Sequence, residues 1–277
     1  MLKQRIITAL LLLAVFLPAL FHPDPFWLCA SGLVIVLAGA WEWGRLNGMS
    51  AFTALLMPLV CLIICLLIWS NGTLLLLHIQ FWLLASIAWV VLSVFFLKNG
   101  LNSWRRVPAL VRNVLGIFIL TLTWAALYLA KIKGIPFLLS VLLLVWVADI
   151  FAYFAGKKWG RHKLAPSISP GKSREGLGGG VIGVCLLASG WIALQASHPE
   201  MNNSLFSLLY SRSPFFMFAG VLFLTLMSAA GDLFESLMKR SAGMKDSSRL
   251  LPGHGGVLDR LDALLPTLPM AIMLSFL

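Results

Sequence analysis

Apolar residues in this chain recur in long unbroken runs, and polar residues are confined to short segments between them. A helix needs about 20 mostly apolar residues to cross a hydrocarbon core, and nine runs come near or reach that length. They cover 6–21, 27–44, 51–69, 75–97, 114–130, 136–156, 177–196, 214–238 and 260–277. The first is short, and those ending at 156 and 238 carry ionisable residues near their ends. The pattern predicts an all-α polytopic integral membrane bundle of about nine transmembrane helices. Five spans fall within 1–135, and a C-terminal region, 136–277, carries the polar loops 157–176 and 239–259 and is expected to hold the chemistry.

Composition agrees. Of 277 residues, 60% are hydrophobic and 11% charged, and the mean hydropathy is +0.94. A soluble domain would carry about a quarter charged residues. Cys29, Cys61, Cys65 and Cys185 all lie inside apolar stretches and form no CxxC pair, so they read as small packing residues. The first run has the basic start and apolar core of a signal peptide. It runs into His22-Pro23-Asp24-Pro25 instead of a small-residue cleavage site, so a retained helix is expected.

A net charge of +11 would suggest nucleic acid in a soluble protein. Here its distribution sets orientation. With the N-terminus cytoplasmic, only Lys131, Lys133 and Arg212 of the 21 Lys and Arg residues fall in outside loops. The rest, from Lys3 and Arg5 to Arg260, fall inside, as the positive-inside rule requires. No nucleic-acid partner is expected.

The ten acidic residues are the informative ones. Asp24 and Glu200 fall outside; the other eight lie in cytoplasmic loops or at cytoplasmic helix ends. A carboxylate inside a span costs about 2.5–3.5 kcal/mol on insertion scales, so it needs a partner or a function. Asp149 sits within VLLLVWVADIFAYF. Asp232 and Glu235 share a helix face with Lys239 a turn further on, and Asp259 and Asp262 repeat the i, i+3 spacing. Acids from three helices at similar depth suit a hard cation. Glu42, between Trp41 and Trp43, reads as an interfacial acid and stays outside this group.

Phosphate-friendly segments flank these acids. Gly156 to Gly180 holds six basic side chains, the hydroxyls of Ser167, Ser169 and Ser173, and glycines that let amides approach an anion. The next helix is expected to begin near Gly176, with its N-terminus toward phosphate. Neither this loop nor the one after the eighth run contains GxxxxGK[ST]. Acids for a cation beside bases for phosphate is what phosphoryl or nucleotidyl transfer requires.

Ser236-Leu-Met-Lys239-Arg240, then Lys245-Asp246, then Pro252-Gly253-His254-Gly255-Gly256-Val257-Leu258-Asp259-Arg260-Leu261-Asp262 resembles the signature of the phosphatidate cytidylyltransferases. Ser169 to Lys172 (SPGK), Glu175-Gly176, Asp149, Tyr153, Gly156 and Trp41-Glu42-Trp43-Gly44 also resemble that family. The likeness is strong over 140–277 and weaker before it. It implies transfer of CMP from CTP to phosphatidate in a bacterial inner membrane, with the site facing the cytoplasm. It further implies Mg²⁺ as cofactor, with room for K⁺ as a second ion. Asp232 and Asp259 match the family's metal acids, and Asp262, Asp149 and Glu235 are candidates to complete or orient that shell. Lys239, Arg240, Lys245, His254 and Arg260 match phosphate positions, joined by Ser169, Lys172, Ser173, Gly255 and Gly256. Asp232, Asp259, Lys239 and Arg260 are the expected catalytic set. The expected partners are CTP, phosphatidate and membrane lipid, and a homodimer is allowed.

Plainer readings stand beside these. Lys157, Lys158, Arg161 and Lys163 serve topology as readily as phosphate, and Arg105, Arg106 and Arg112 suit anionic headgroups. His22, His78 and His198 read as structural. Gly178 to Gly180 suit helix packing as well as anion binding. A CTP-dependent lipid kinase of the polyprenol type and an ion or proton transporter remain as alternatives. Transporters place such acids nearer mid-membrane in broken helices, which disfavours the second.

Overall fold

The computed structural model describes residues 2–70 and 78–277, without the side chains of Leu2, Lys3 and Arg5. The predicted start of the fourth run, at 75, and the side chains of Lys3 and Arg5 lie outside the described residues. In chain order the helices begin with α1 (Leu2–Phe21), α2 (Pro25–Leu46), α3 (Leu56–Ser70), α4 (Ile79–Asn99) and the short α5 (Leu101–Arg106). Then come α6 (Ala109–Lys133), α7 (Ile135–Trp159), the strands β1 (Lys163–Ala165) and β2 (Ser169–Ser173), and α8 (Arg174–Gln195). The chain continues with α9 (Leu205–Arg212), α10 (Pro214–Ser241), α11 (Leu258–Leu261) and α12 (Leu264–Leu274).

The protein is an all-α polytopic membrane protein. Among the described residues seven helices are long and apolar enough to span, and Ile6–Phe21 adds a shorter apolar stretch. Leu10, Leu11, Val34, Leu84, Val94 and Ile182 are all more than half exposed, on outward faces that require lipid as solvent. The predicted ninth span differs. It breaks at Asp262 into α11 and the 11-residue α12, and Leu265 to Leu274 are all buried among α4, α6, α7 and α10. The loop expected at 157–176 also contains structure, an antiparallel hairpin of β1 and β2.

Local chemistry sets the helix boundaries. Asp24 accepts the Phe26 N–H and Pro25 occupies the first turn of α2; Ser213 and Pro214 repeat the device at α10. Gly134 joins α6 directly to α7 at φ 117°, where a side chain would be strained. At the end of the bundle remote from the acids, buried Lys131 donates to the carbonyls of Leu20 (2.6 Å) and His22 (2.8 Å), capping α1.

Packing places α10 at the centre. Phe234 meets Trp104, Trp89, Phe96 and Trp43 at centroid distances of 5.2, 5.6, 6.0 and 6.4 Å. Trp43, Trp82, Trp89, Trp104 and Trp124 are therefore core residues, where an interfacial belt would have left them at the rim. α7 and α8 pack almost backbone to backbone: a Cβ on Gly180 would lie 2.9 Å from the Ala148 carbonyl oxygen, and one on Gly179 would strike Ala155. Gly178 faces open space.

Candidate active site

The acids gather at one end of the bundle, where the C-termini of α2, α7 and α10 meet the N-terminus of α8. They form two groups joined by α10.

The first group borders a cavity of about 450 Å³ between α7, α8, α10 and the hairpin. Asp149, Tyr153, Lys157, Ser169, Lys172, Ser173 and Asp232 line it, with Gly156, Gly176 and Gly180 supplying backbone surface. Lys172, on β2, forms an ion pair with Asp232 at 2.5 Å. Asp149 and Asp262 both feel the charges of Asp232 and Lys172. Lys172 thus serves three carboxylates, and Asp262 feels Lys239 as well. Ser173 is the N-cap of α8, accepting the Gly176 N–H at 3.1 Å, so that helix starts at Arg174 on the cavity wall. Glu175, in its first turn, accepts the N–H groups of Arg161 and His162 and ties the hairpin's start to α8.

The second group is built on the 245–260 loop. Lys239 lies 2.5 Å from both Glu235, which is 1% exposed, and Asp259. Asp259 also accepts the Gly256 N–H (2.8 Å), the Ser247 N–H (3.0 Å) and the Ser247 hydroxyl (3.0 Å). Burial alone would raise the Asp259 pKa, but Lys239 and the two amides hold it below its ordinary value. Gly255 adopts φ 85°, and a Cβ there would lie 2.9 Å from Asp259 Oδ2. The turn therefore demands glycine.

The remaining predicted residues serve the loop's backbone. Arg260 donates to the His254 carbonyl (2.5 Å) and Arg240 to the Met244 carbonyl (3.3 Å). His254 Nδ1 is buried with no hydrogen-bond partner among the described residues, while Lys245 is exposed. Gly256 packs against Ser247 and Glu42.

Two sequence expectations change. The acids form a chain and not one compact shell: Asp259 and Glu235 pair with Lys239, and Asp262, which feels both Lys239 and Asp232, stands between that pair and the cavity. Among the described residues no group of three or more His, Cys, Asp or Glu is arranged to hold a metal by itself. Glu42 also belongs here. It is fully buried and bonded to the 247–258 segment. The signal was present in the sequence, since a lone acid among apolar residues must find partners.

A family model described as the cytidylyltransferase family matches residues 3–277. The chain belongs to that family. A Pseudomonas aeruginosa member named phosphatidate cytidylyltransferase is 39% identical over 279 residues, covering 98% of this chain and 95% of that protein. The Haemophilus influenzae protein of that name is 34% identical, with 97% and 96% coverage. The Thermotoga maritima one is 42% identical over 133 residues, about half of each chain. The cytidylyltransferase match extends through the N-terminal helices, including Glu42, as well as the signature loop.

Proposed function

We propose that this chain is a phosphatidate cytidylyltransferase, converting CTP and phosphatidate to CDP-diacylglycerol and pyrophosphate. Its setting is a bacterial inner membrane with the cavity toward the cytoplasm. The observation that carries the reading is the cavity itself. It puts Lys172, Asp232 and Asp149 at the basic end of the bundle, directly beside apolar helix surface, where a nucleotide and a lipid phosphate can both arrive. Orientation follows from the lysines and arginines concentrated at that same end.

A phosphate monoester is already anionic near neutral pH, so its oxygen needs no strong protein base to attack the α-phosphorus of CTP in line. The new bond joins that oxygen to the α-phosphorus, and the bond to the β-phosphate's bridging oxygen breaks as pyrophosphate leaves. Lys172 and Lys157, both on the cavity wall, would take phosphate oxygens; the Arg174 and Gly176 amides at the start of α8 are already bonded to the His162 carbonyl and the Ser173 hydroxyl. The hairpin and the close α7–α8 seam hold these groups on ordered backbone, which supplies the orientation that such transfers depend on.

The donor set fits Mg²⁺. It offers hard carboxylate oxygens from Asp149, Asp232 and Asp262. Mg²⁺ in nucleotide sites is held by one or two carboxylates plus substrate phosphates, not by an all-protein cage. Asp232, with Asp149 or Asp262 beside it, would hold the ion, and a second, monovalent ion at Asp259 and Glu235 would have to displace the Lys239 ammonium group that bridges them. When bound, Mg²⁺ supplies neutralisation of the polyphosphate.

The test is purified protein in liposomes with phosphatidate, Mg²⁺ and CTP labelled at either the α- or the γ-phosphorus. The expected result is α-label in a CDP-lipid and γ-label in pyrophosphate. Label from the γ-position on a lipid alcohol would identify a kinase instead. Absence of any CTP turnover would remove the proposal.

A further inference from the structure

Glu42 takes no part in the chemistry above, yet its carboxylate accepts four hydrogen bonds, all from residues 247–258. Oε1 receives the Val257 N–H (2.9 Å) and the Ser248 hydroxyl (2.5 Å). Oε2 receives the Leu258 N–H (2.7 Å) and the Ser247 hydroxyl (3.0 Å). A carboxylate is an acceptor with about four lone-pair sites, so these four donors fill it. The amides of Val257 and Leu258 stand at the start of α11, two residues and one residue before Asp259. That short helix begins on a glutamate supplied by α2.

The link to Asp259 is tighter than adjacency. Ser247 Oγ lies 3.0 Å from Glu42 Oε2 and 3.0 Å from Asp259 Oδ2. A serine hydroxyl has one proton to donate, so two carboxylates on different elements share it. Gly256, whose N–H also holds Asp259, passes so close that a Cβ there would lie 2.6 Å from Glu42 Oε1. Displacing Glu42 therefore displaces the donors on which Asp259 rests, and with them the partner of Lys239.

We infer that Glu42 is a positioning residue for the cytidylyl transfer, holding segment 247–258 in the shape that sets Asp259 against Lys239. It touches no reacting atom. Glutamine in its place would keep the size but turn an NH₂ group toward two of the four donors, leaving buried N–H or O–H groups unpaired. The inference rests on the reaction proposed above, and its test separates the two.

The experiment compares full-length wild type with Glu42→Gln and Glu42→Asp, each monodisperse in detergent and then reconstituted with phosphatidate, CTP and Mg²⁺. Steady-state kinetics are combined with amide hydrogen exchange. Glu42→Gln is expected to lower kcat at least about tenfold while the KM for CTP moves less than about threefold. Exchange should rise within 245–260 and stay unchanged over the buried α6 stretch 119–126. Glu42→Asp, which keeps the acceptors on a shorter arm, should recover part of kcat, and Glu200→Gln on the far side should match wild type. Four outcomes overturn the inference: wild-type kcat in Glu42→Gln, a loss of kcat with the loop still protected, a loss confined to KM, or deprotection spread evenly into α6. If wild type itself makes no CDP-lipid, the proposed reaction fails, and the exchange pattern alone decides whether Glu42 fixes the loop.

Discussion

Lys172 and Asp232 form an ion pair at 2.5 Å on the cavity wall, one on a hairpin strand and the other on the central helix. The ammonium group occupies one carboxylate that the proposed divalent cation would use, and it is itself a cation that the proposed polyphosphate would meet. The two roles compete. Removing Lys172 should therefore have opposite effects on the two ligands. Lys172→Ala is expected to raise the KM for CTP at least about tenfold while lowering the Mg²⁺ concentration needed for half-maximal rate. Titrating each in turn in the reconstituted assay reads both, and parallel shifts of the two would contradict the arrangement.

Asp259 accepts bonds from Lys239, Gly256 and Ser247, so a neutral isostere disturbs charge and geometry together. Asp259→Asn is expected to reduce turnover by about 10² to 10³, the cost of losing one placed electrostatic partner. The protein should still insert and elute as a single species. Near-normal activity in that variant would remove Asp259 from the functional centre.

Acid should loosen the same loop. The Asp259 carboxyl has its pKa held below the ordinary value of about 3.9. A depressed folded-state pKa contributes stability that is present above the unfolded value and lost as pH falls through the folded one. Thermal unfolding in detergent should be insensitive to this group above about pH 5 and should weaken below about pH 4. Asp259→Asn should flatten that acid limb, and an unchanged limb would show that Asp259 makes no contribution to it.

Gly231 lies where α10 crosses the start of α12. A Cβ there would strike the Asp262 carbonyl oxygen and lie 2.8 Å from the Pro266 ring. Neither obstacle is a flexible side-chain tip. Gly231→Ala is expected to cost about 1–3 kcal/mol and to lower activity by shifting Asp262 against Asp232. Denaturation midpoints and the CTP assay measure the two effects, and a variant as stable as wild type would show that the crossing yields.

Much of the fold was legible because lipid imposes one strong rule. A backbone in hydrocarbon must be helical or part of a closed barrel, and runs of about 20 apolar residues suit only the helix, so those from 27 to 238 became helices with boundaries displaced by a few residues. The last run misled because α12 is apolar for a different reason: it is buried in protein, and hydropathy does not distinguish protein from lipid. Asp149, Asp232 and Lys172 were readable as charges in an apolar setting beside a glycine-rich loop. The basic partner of each acid, Lys172 for Asp232 and Lys239 for Asp259, was not, because i, i+3 spacing says which residues share a helix face and nothing about which neighbour that face meets. Glu42 was misread for a related reason. Flanking tryptophans suggested an interface, whereas Trp43 is buried against Phe234 and Glu42 points into the loop.

The bonds to Glu42 join residues 205 to 216 positions apart in the chain. A ribosome adding about 5–20 residues per second would deliver those partners roughly 10 to 40 seconds after Glu42 itself is made. Throughout that interval α2 carries an acid whose four donors do not yet exist. The nascent protein must therefore leave that end of α2 in the wet headgroup layer, or shield it with insertion machinery, until the signature loop emerges. Biogenesis is most exposed to failure at a glutamate that the finished molecule hides completely.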